Sequence, residues 1–246
     1  MTLFDDLLKD IPDGRVLDVR IGLHWTAVVV EVNGMRQCGL ASTLSEGHDH
    51  HREPDIPQAG KLLSLSAKEL AMSILKNREI QTSLGIAALN AVLPRQPHTW
   101  LENNAEDVIA RYGEGKRLAF VGRFPFITRL RSSVSELLVL EQNPGPDDLP
   151  AESAPEVLPR MDVVAITGMT LLNHTLEGLL KLCSPEAVVI LLGPSTPLSP
   201  VLLDYGVDII SGSVVMDIDP VLQVVSQGGN FHQVHQAGVK LVNIEK

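Results

Sequence analysis

The sequence predicts an α/β protein in two parts: a Rossmann-like, doubly wound parallel sheet over residues 101–246, preceded by a smaller α+β domain over residues 1–100. Three observations carry this reading. Between residues 117 and 212, short and nearly uninterrupted β-branched runs alternate with helical stretches, the pattern of parallel strands buried on both faces. Before residue 42 the strand-like runs follow one another directly, with Asn33-Gly34, a strong hairpin signal, between two of them. Pro94 and Pro97 then interrupt the pattern, which places the boundary near residue 100.

The elements of the first part follow in order. Residues 2–9 have the spacing of a short amphipathic helix. VLDVRIG (16–22), WTAVVVEV (25–32) and a run beginning RQCGLA (36–41) read as strands of an antiparallel meander. Residues 44–60 lack apolar periodicity and are crowded with turn formers and titratable groups, so they form a long loop. Ser66, with Glu69 at the capping-box position, starts a helix through Ala67–Lys76. A second helix runs through Thr82–Val92, where Gly85, Ala87, Ala88 and Ala91 permit close packing. The polar helix NNAEDVIARYGEG leads into the second part.

There the strands are RLAFVG (117–122), LLVLE (137–141), MDVVAIT (161–167), AVVILLG (187–193) and VDIISG (207–212). Helices are expected from Pro125, from Thr170 and after residue 193. Right-handed crossovers gather the C-terminal strand ends on one rim, and ligands of such folds sit there, beside the reversal of strand order.

The chain has 246 residues, 44% of them hydrophobic, and no apolar run reaches the roughly 18 uncharged residues of a membrane span, so no membrane contact is expected. The start, MTLFDDLLKDIPDG, places acids where a secretory leader needs a positive region, which points to a cytoplasmic protein. A formal net charge of -10 without a basic stripe argues against nucleic-acid partners. Cys38 and Cys183, far apart within apolar patterns, read as buried free thiols. A two-fold homodimer is the expected assembly for a small α/β protein of this composition.

The chemistry-bearing residues lie at strand ends. In Gly122-Arg123-Phe124-Pro125-Phe126, Gly122 permits a sharp turn and Pro125 suits a first helical position. Glu141 ends the second strand about 19 positions beyond Gly122, close to the offset of roughly 20 at which an acid meets a ribose hydroxyl in dinucleotide folds. One glycine stands where the phosphate fingerprint has three, and Phe124 and Pro125 obstruct a pyrophosphate, so a nucleotide is the lesser reading of this loop. Thr167-Gly168-Met169-Thr170, followed on the helix by Asn173 and Thr175, ends the third strand, and Gly193-Pro194-Ser195-Thr196-Pro197 ends the fourth. Hydroxyls in such loops cap helices or bind anions; each loop alone favours capping, and their convergence on one rim favours a ligand site. His48, His50 and His51, among Asp49, Glu53 and Asp55, offer ligands to a metal in the long loop, although no closing ligand pair accompanies them. His232 and His235 have helix-like spacing and the same shortcoming. No G-x-S-x-G elbow or Walker loop is present, and Ser195 has no identifiable partner.

IGLHWTAVVV, CGLAST, SLGIAALNAV, VGRFPF, LEQNPGPDDLP, DVVAITGMTLLNHT and GPSTPLSP together resemble a microbial family described as putative heavy-metal chelation proteins, over nearly the whole chain. The resemblance implies a first domain like the amino-terminal domain of enolase, a Rossmann-like second domain, an active site in the cleft between them, and a link to metals or metal chelates. It implies a pocket of Gly122, Phe124, Pro125, Glu141, Thr167, Asn173, Thr175, Gly193, Pro194, Ser195 and Thr196, with Asn90 contributing from the first domain. Arg123 stands where the family pattern often has histidine, which puts an imidazole ligand in that loop in doubt. The likeness to enolase is one of fold and carries no function.

Three function classes follow. In the first, a small anionic molecule or metal chelate occupies the interdomain cleft, held by Arg123 and helix starts, oriented by Glu141 and Asn173, and packed on Phe124. In the second, a nucleotide-dependent transferase or oxidoreductase binds ribose through Glu141. The third is a metal-binding module built on His48, His50 and His51.

Overall fold

A capping box between Thr2 and Asp5 starts α1 (Leu3–Lys9), the first element of the computed structural model, which describes residues 2–44, 54–76, 78–102 and 104–246. β1 (Arg15–Ile21), β2 (Trp25–Val32) and β3 (Met35–Ser42) follow as an antiparallel three-stranded sheet in the order β1-β2-β3. Asn33 (φ 51°) and Gly34 (φ 74°) adopt the left-handed conformation that a two-residue hairpin requires, pairing Val32 with Met35. After α2 (Ala67–Ala71), capped by Ser66 as expected, the chain tightens into a 3-10 turn over Met72–Lys76 instead of continuing as α-helix. α3 (Glu79–Val92) lies against β2 and β3. Gly39 makes that approach achievable, since a Cβ there would stand 2.2 Å from the Ala87 carbonyl oxygen.

α4 (Ala105–Gly113) leads into β4 (Arg117–Val121), α5 (Ile127–Leu130), β5 (Glu136–Glu141), β6 (Leu149–Pro150), α6 (Ala154–Val157), β7 (Val163–Thr167), α7 (Met169–Leu172), α8 (Leu176–Leu180), β8 (Val188–Leu192), α9 (Val201–Asp204), β9 (Ile209–Val215), α10 (Ile218–Ser226), α11 (Phe231–Gln236) and β10 (Val239–Glu245). These strands form a seven-stranded sheet in the order β10-β9-β8-β7-β4-β5-β6, parallel throughout except for the antiparallel edge strand β10. From β4 the chain moves outward through β5 and β6, then returns to the other flank of β4 with β7. That reversal opens a crevice at the C-terminal strand ends.

The helices at this rim differ from expectation. α5 is a single turn, and Pro125 lies in the turn before it instead of opening a longer helix. The helix expected from Thr170 is interrupted between α7 and α8, where His174 takes a positive φ of 58°. Asn173 and Thr175 therefore flank a break and not a continuous helical face.

One hydrophobic core runs from Leu3, Val28, Val30, Leu84 and Leu89 to Val164, Ile166 and Leu191, uniting the two sheets. The opposite face of the small sheet is covered from far along the chain: Trp25, Ala27, Val29, Cys38 and Leu40 pack with Val221, Leu222 and Val225 of α10 and with Val234 of α11. Both cysteines are free, and burial pushes the Cys38 thiol up to about 12 and that of Cys183 to about 11, so neither is a ready thiolate. No described helix is long and apolar enough to cross a membrane.

Candidate functional site

At the strand-order reversal, β4 runs into Gly122 while β5 ends on Glu141 and β7 on Thr167, around a cavity of about 360 Å³. The break between α7 and α8 brings Asn173 and Thr175 to the same space, with Arg123, Gln142, Met169, Thr170 and Leu179 completing much of the wall. Gly122 has φ 101°, and a Cβ there would stand 2.8 Å from Thr167 Cγ2, so the loops after β4 and β7 meet only because this residue lacks a side chain. The volume is within the range of small-molecule sites. Its described lining falls within residues 121–179, on the large sheet's side.

Its charges are unevenly satisfied. Arg123 donates through one guanidinium nitrogen to both Asp148 carboxylate oxygens, each at 2.6 Å. The Gly145 amide adds a third bond to Asp148, whose side chain is only 2% exposed. The Arg123 hydrogen bond in particular, aided by that amide, holds the Asp148 carboxyl below the usual range. Arg123 is thus already engaged. The Glu141 carboxylate, in contrast, has no hydrogen-bond or ion-pair partner among the described residues. Asn173 accepts at Oδ1 from the Thr175 hydroxyl (2.7 Å) and amide (3.3 Å), which leaves its Nδ2 donors without a partner among the described residues. Thr167 Oγ1 accepts from the Met169 amide at 3.3 Å, and Thr170 Oγ1 donates to the Thr167 carbonyl at 2.7 Å. The space accordingly offers an unpaired acceptor acid, amide donors and hydroxyls.

His174 faces the other way. Its ring lies 4.7 Å from that of Phe4, and its Nε2 is 3.2 Å from Thr82 Oγ1 on α3. Burial lowers its pKa. A non-glycine residue held at positive φ between two cavity residues is the kind of local strain that packing must sustain, and here α1 and α3 supply it.

The remaining predicted residues separate into three places. Phe124 and Pro125 line a neighbouring cavity of about 420 Å³, with Arg123, Arg131 and Val139. The Phe124 ring stacks on Phe126 at 5.5 Å and 24°. Gly193, Pro194, Ser195, Thr196 and Asn90 do not reach either cavity but join the two sheets. Ser195 is 2% exposed and Thr196 1%. The Ser42 amide donates to Ser195 Oγ at 2.9 Å, and Asn90 Nδ2 donates to the Leu40 carbonyl at 2.8 Å and the Ser195 carbonyl at 3.4 Å. Ser213 Oγ donates to the Pro194 carbonyl at 3.1 Å, and the Gly193 amide to the Ser211 carbonyl at 3.0 Å. His48, His50 and His51 lie outside the described residues.

A groove where the two parts do meet, about 220 Å³ between Asp6, Asp10, Leu93, Trp100 and Leu198, holds none of the predicted residues. Sequence reasoning missed Gln142 and Leu179 on the cavity wall and Asp148 as the partner of Arg123. Gln142 was signalled by following a strand-end acid; Asp148, in a Pro-Gly-Pro-Asp-Asp loop, carried no signal of its pairing.

The described lining of this cavity does not fit a bare metal ion: among the described residues Glu141 is its one carboxylate, no histidine or cysteine lines it, and no group of three or more metal-ligating side chains occurs.

The fold defines an α/β protein with an open, mostly parallel sheet and a cavity at its strand-order reversal. The chain belongs to the DUF364 family, described as "Putative heavy-metal chelation", whose pattern matches residues 104–243; a companion family with the same description, DUF4213, matches residues 4–93. A curated relative, the uncharacterized protein MJ0500 of Methanocaldococcus jannaschii, is 29% identical over 222 residues, 85% of this chain and 82% of that protein. A crystal structure of a DUF364-family protein of unknown function from Desulfitobacterium hafniense matches with a TM-score of 0.83 and 26% identity, covering 99% of this chain and 98% of that one. Another from Pyrococcus horikoshii, at 22% identity and a TM-score of 0.80 over the whole of both chains, shares the fold.

Proposed function

We propose that this protein binds a small organic molecule, free or as a metal chelate, in the crevice between the ends of β4, β5 and β7. The observation that carries the reading is Glu141: a carboxylate on the wall of a ligand-sized cavity, at the place where such sheets bind ligands, close enough to feel the charge of Arg123 but with no hydrogen-bond or ion-pair partner among the described residues. A side chain that stabilises nothing in the fold is available to a ligand. The family description is consistent with a chelate, and the described lining of the cavity, which holds no set of metal ligands, suits a metal held by an organic carrier better than a bare ion.

The test is native mass spectrometry of the full chain after dialysis against a small-molecule extract of bacterial cells. The wild type gains a reproducible mass, and Glu141→Ala loses it at the wild-type melting temperature, as does Asn173→Ala while folded, with a small drop in melting temperature from the lost bonds to Thr175. No gain in the wild type, or equal retention by both variants, overturns the proposal.

A further inference from the structure

Resting on that reading, we infer that the ligand is a nucleoside without a phosphate, gripped through its ribose diol by Glu141. Counted from β4, the strands lie in the order 3-2-1-4-5-6-7, the seventh being the antiparallel edge strand β10, and Glu141 ends the second of them, beside Gly122 at the end of the first. In sheets of this order an acid at that place accepts from ribose hydroxyls. The local chemistry reaches the same answer independently. A carboxylate to which no cation is hydrogen-bonded among the described residues offers its oxygens as acceptors, and two neighbouring hydroxyls supply two donors to them.

An anionic group is disfavoured by the same residues. Glu141 repels it, and Arg123, the cation on the crevice wall, is held by the nearly buried Asp148. The features that bind phosphate in related sheets are missing: α5 is one turn long, and Gly122 is followed by Arg123, Phe124 and Pro125, the last without an N–H.

The planar part has its own place. Arg123 borders both the crevice and the 420 Å³ cavity beside it, where Phe124, fixed against Phe126, presents an aromatic wall next to Val139. Bases stack on such walls with little regard to their identity. A free sugar would leave this second cavity unused.

Calorimetry on the full chain tests the assignment with adenosine, guanosine, cytidine and uridine, each against its 2′-deoxy form and its 5′-monophosphate, and with ribose alone. At least one ribonucleoside binds, its deoxy form binds tenfold or more weakly, and its monophosphate binds no more tightly. Glu141→Gln reduces the ribo-over-deoxy preference at least threefold, and Phe124→Leu weakens the nucleoside while its melting temperature stays near that of the wild type. Absence of heat from all four ribonucleosides, equal binding of the deoxy form, tighter binding of the monophosphate, or an unchanged preference in Glu141→Gln overturns the inference. The two proposals fail separately. If an extract-derived mass persists and depends on Glu141 but no nucleoside displaces it, the crevice stands as a site and the nucleoside falls; an amine that displaces it would identify the donor as an ammonium group. If no mass is retained, both fall.

Discussion

Thr167-Gly168-Met169-Thr170 and Gly193-Pro194-Ser195-Thr196 leave neighbouring strands of one sheet with much the same small and hydroxyl-bearing residues, and they end in opposite situations. The second loop is covered by the end of β3 and by α3: Ser195 meets Ser42 and Asn90 and the Pro194 carbonyl meets Ser213, while the buried Thr196 Oγ1 has no hydrogen-bond partner among the described residues. The first lies on the open side of the reversal, where Thr167 and Asn173 face a cavity with Glu141. The difference lies less in residue type than in what else the chain brings near. A polar rim is left for a ligand where no other segment covers it.

The largest expected effect tests the covered loop. Asn90→Leu removes the donor to two carbonyls at the junction of the sheets, and leaving such groups unpaired costs about 2–3 kcal/mol. Urea unfolding should show this loss, while the ligand-dependent mass gain persists in folded protein. Loss of ligand binding at unchanged stability would move the covered loop into the site and dissolve the contrast.

A smaller effect concerns the break between α7 and α8, beside the open loop. His174 has its pKa lowered by burial, so the unfolded chain binds its proton more readily than the folded one. Its contribution to stability is fully present above the ordinary value of 6.5 and is lost as pH falls through the lower folded-state value. Unfolding free energies at pH 7.5, 6.5 and 5.5 should decline more steeply in the wild type than in His174→Asn, a residue that also tolerates positive φ. Parallel pH profiles would remove His174 as the group responsible.

The smallest effect is the most diagnostic. Glu141→Gln should change the unfolding free energy by less than about 0.5 kcal/mol, as expected of a side chain without partners. A larger loss in the ligand-free protein would show that Glu141 supports the fold, and would weaken its claim to a ligand.

Much of the fold was legible because local chemistry specified it. The runs around Leu118–Val121, Val163–Ile166 and Val189–Leu192 are apolar on both sides because helices cover both faces, and Asn33-Gly34 could hardly be anything but a hairpin. The interrupted helix at His174 was not legible: its break depends on Phe4 and Thr82, well over 80 positions away in sequence. Arg123 looked like a free cation because the loop carrying Asp148 could not be folded back onto it from sequence alone. Gly193–Thr196 looked like a ligand loop for the reason that makes it a good junction, since small residues and hydroxyls suit any close polar contact, whether with a ligand or with Ser42.

The placement of α10 and α11 has a consequence for how the chain is made. Alternate side chains of β2 belong to different cores: Val28 and Val30 join the main one, whereas Ala27 and Val29 wait for Val221, Leu222, Val225 and Val234. During synthesis the small sheet leaves the ribosome with Trp25, Ala27, Val29 and Leu40 as an uncovered apolar plate, and more than 190 further residues separate it from Val234. At about 5–20 residues per second the plate stands open for roughly ten seconds or more, a window for chaperones and for mispairing. A ribosome stalled before residue 218 would hold out a sticky half-protein, and release of the last thirty residues would seal it.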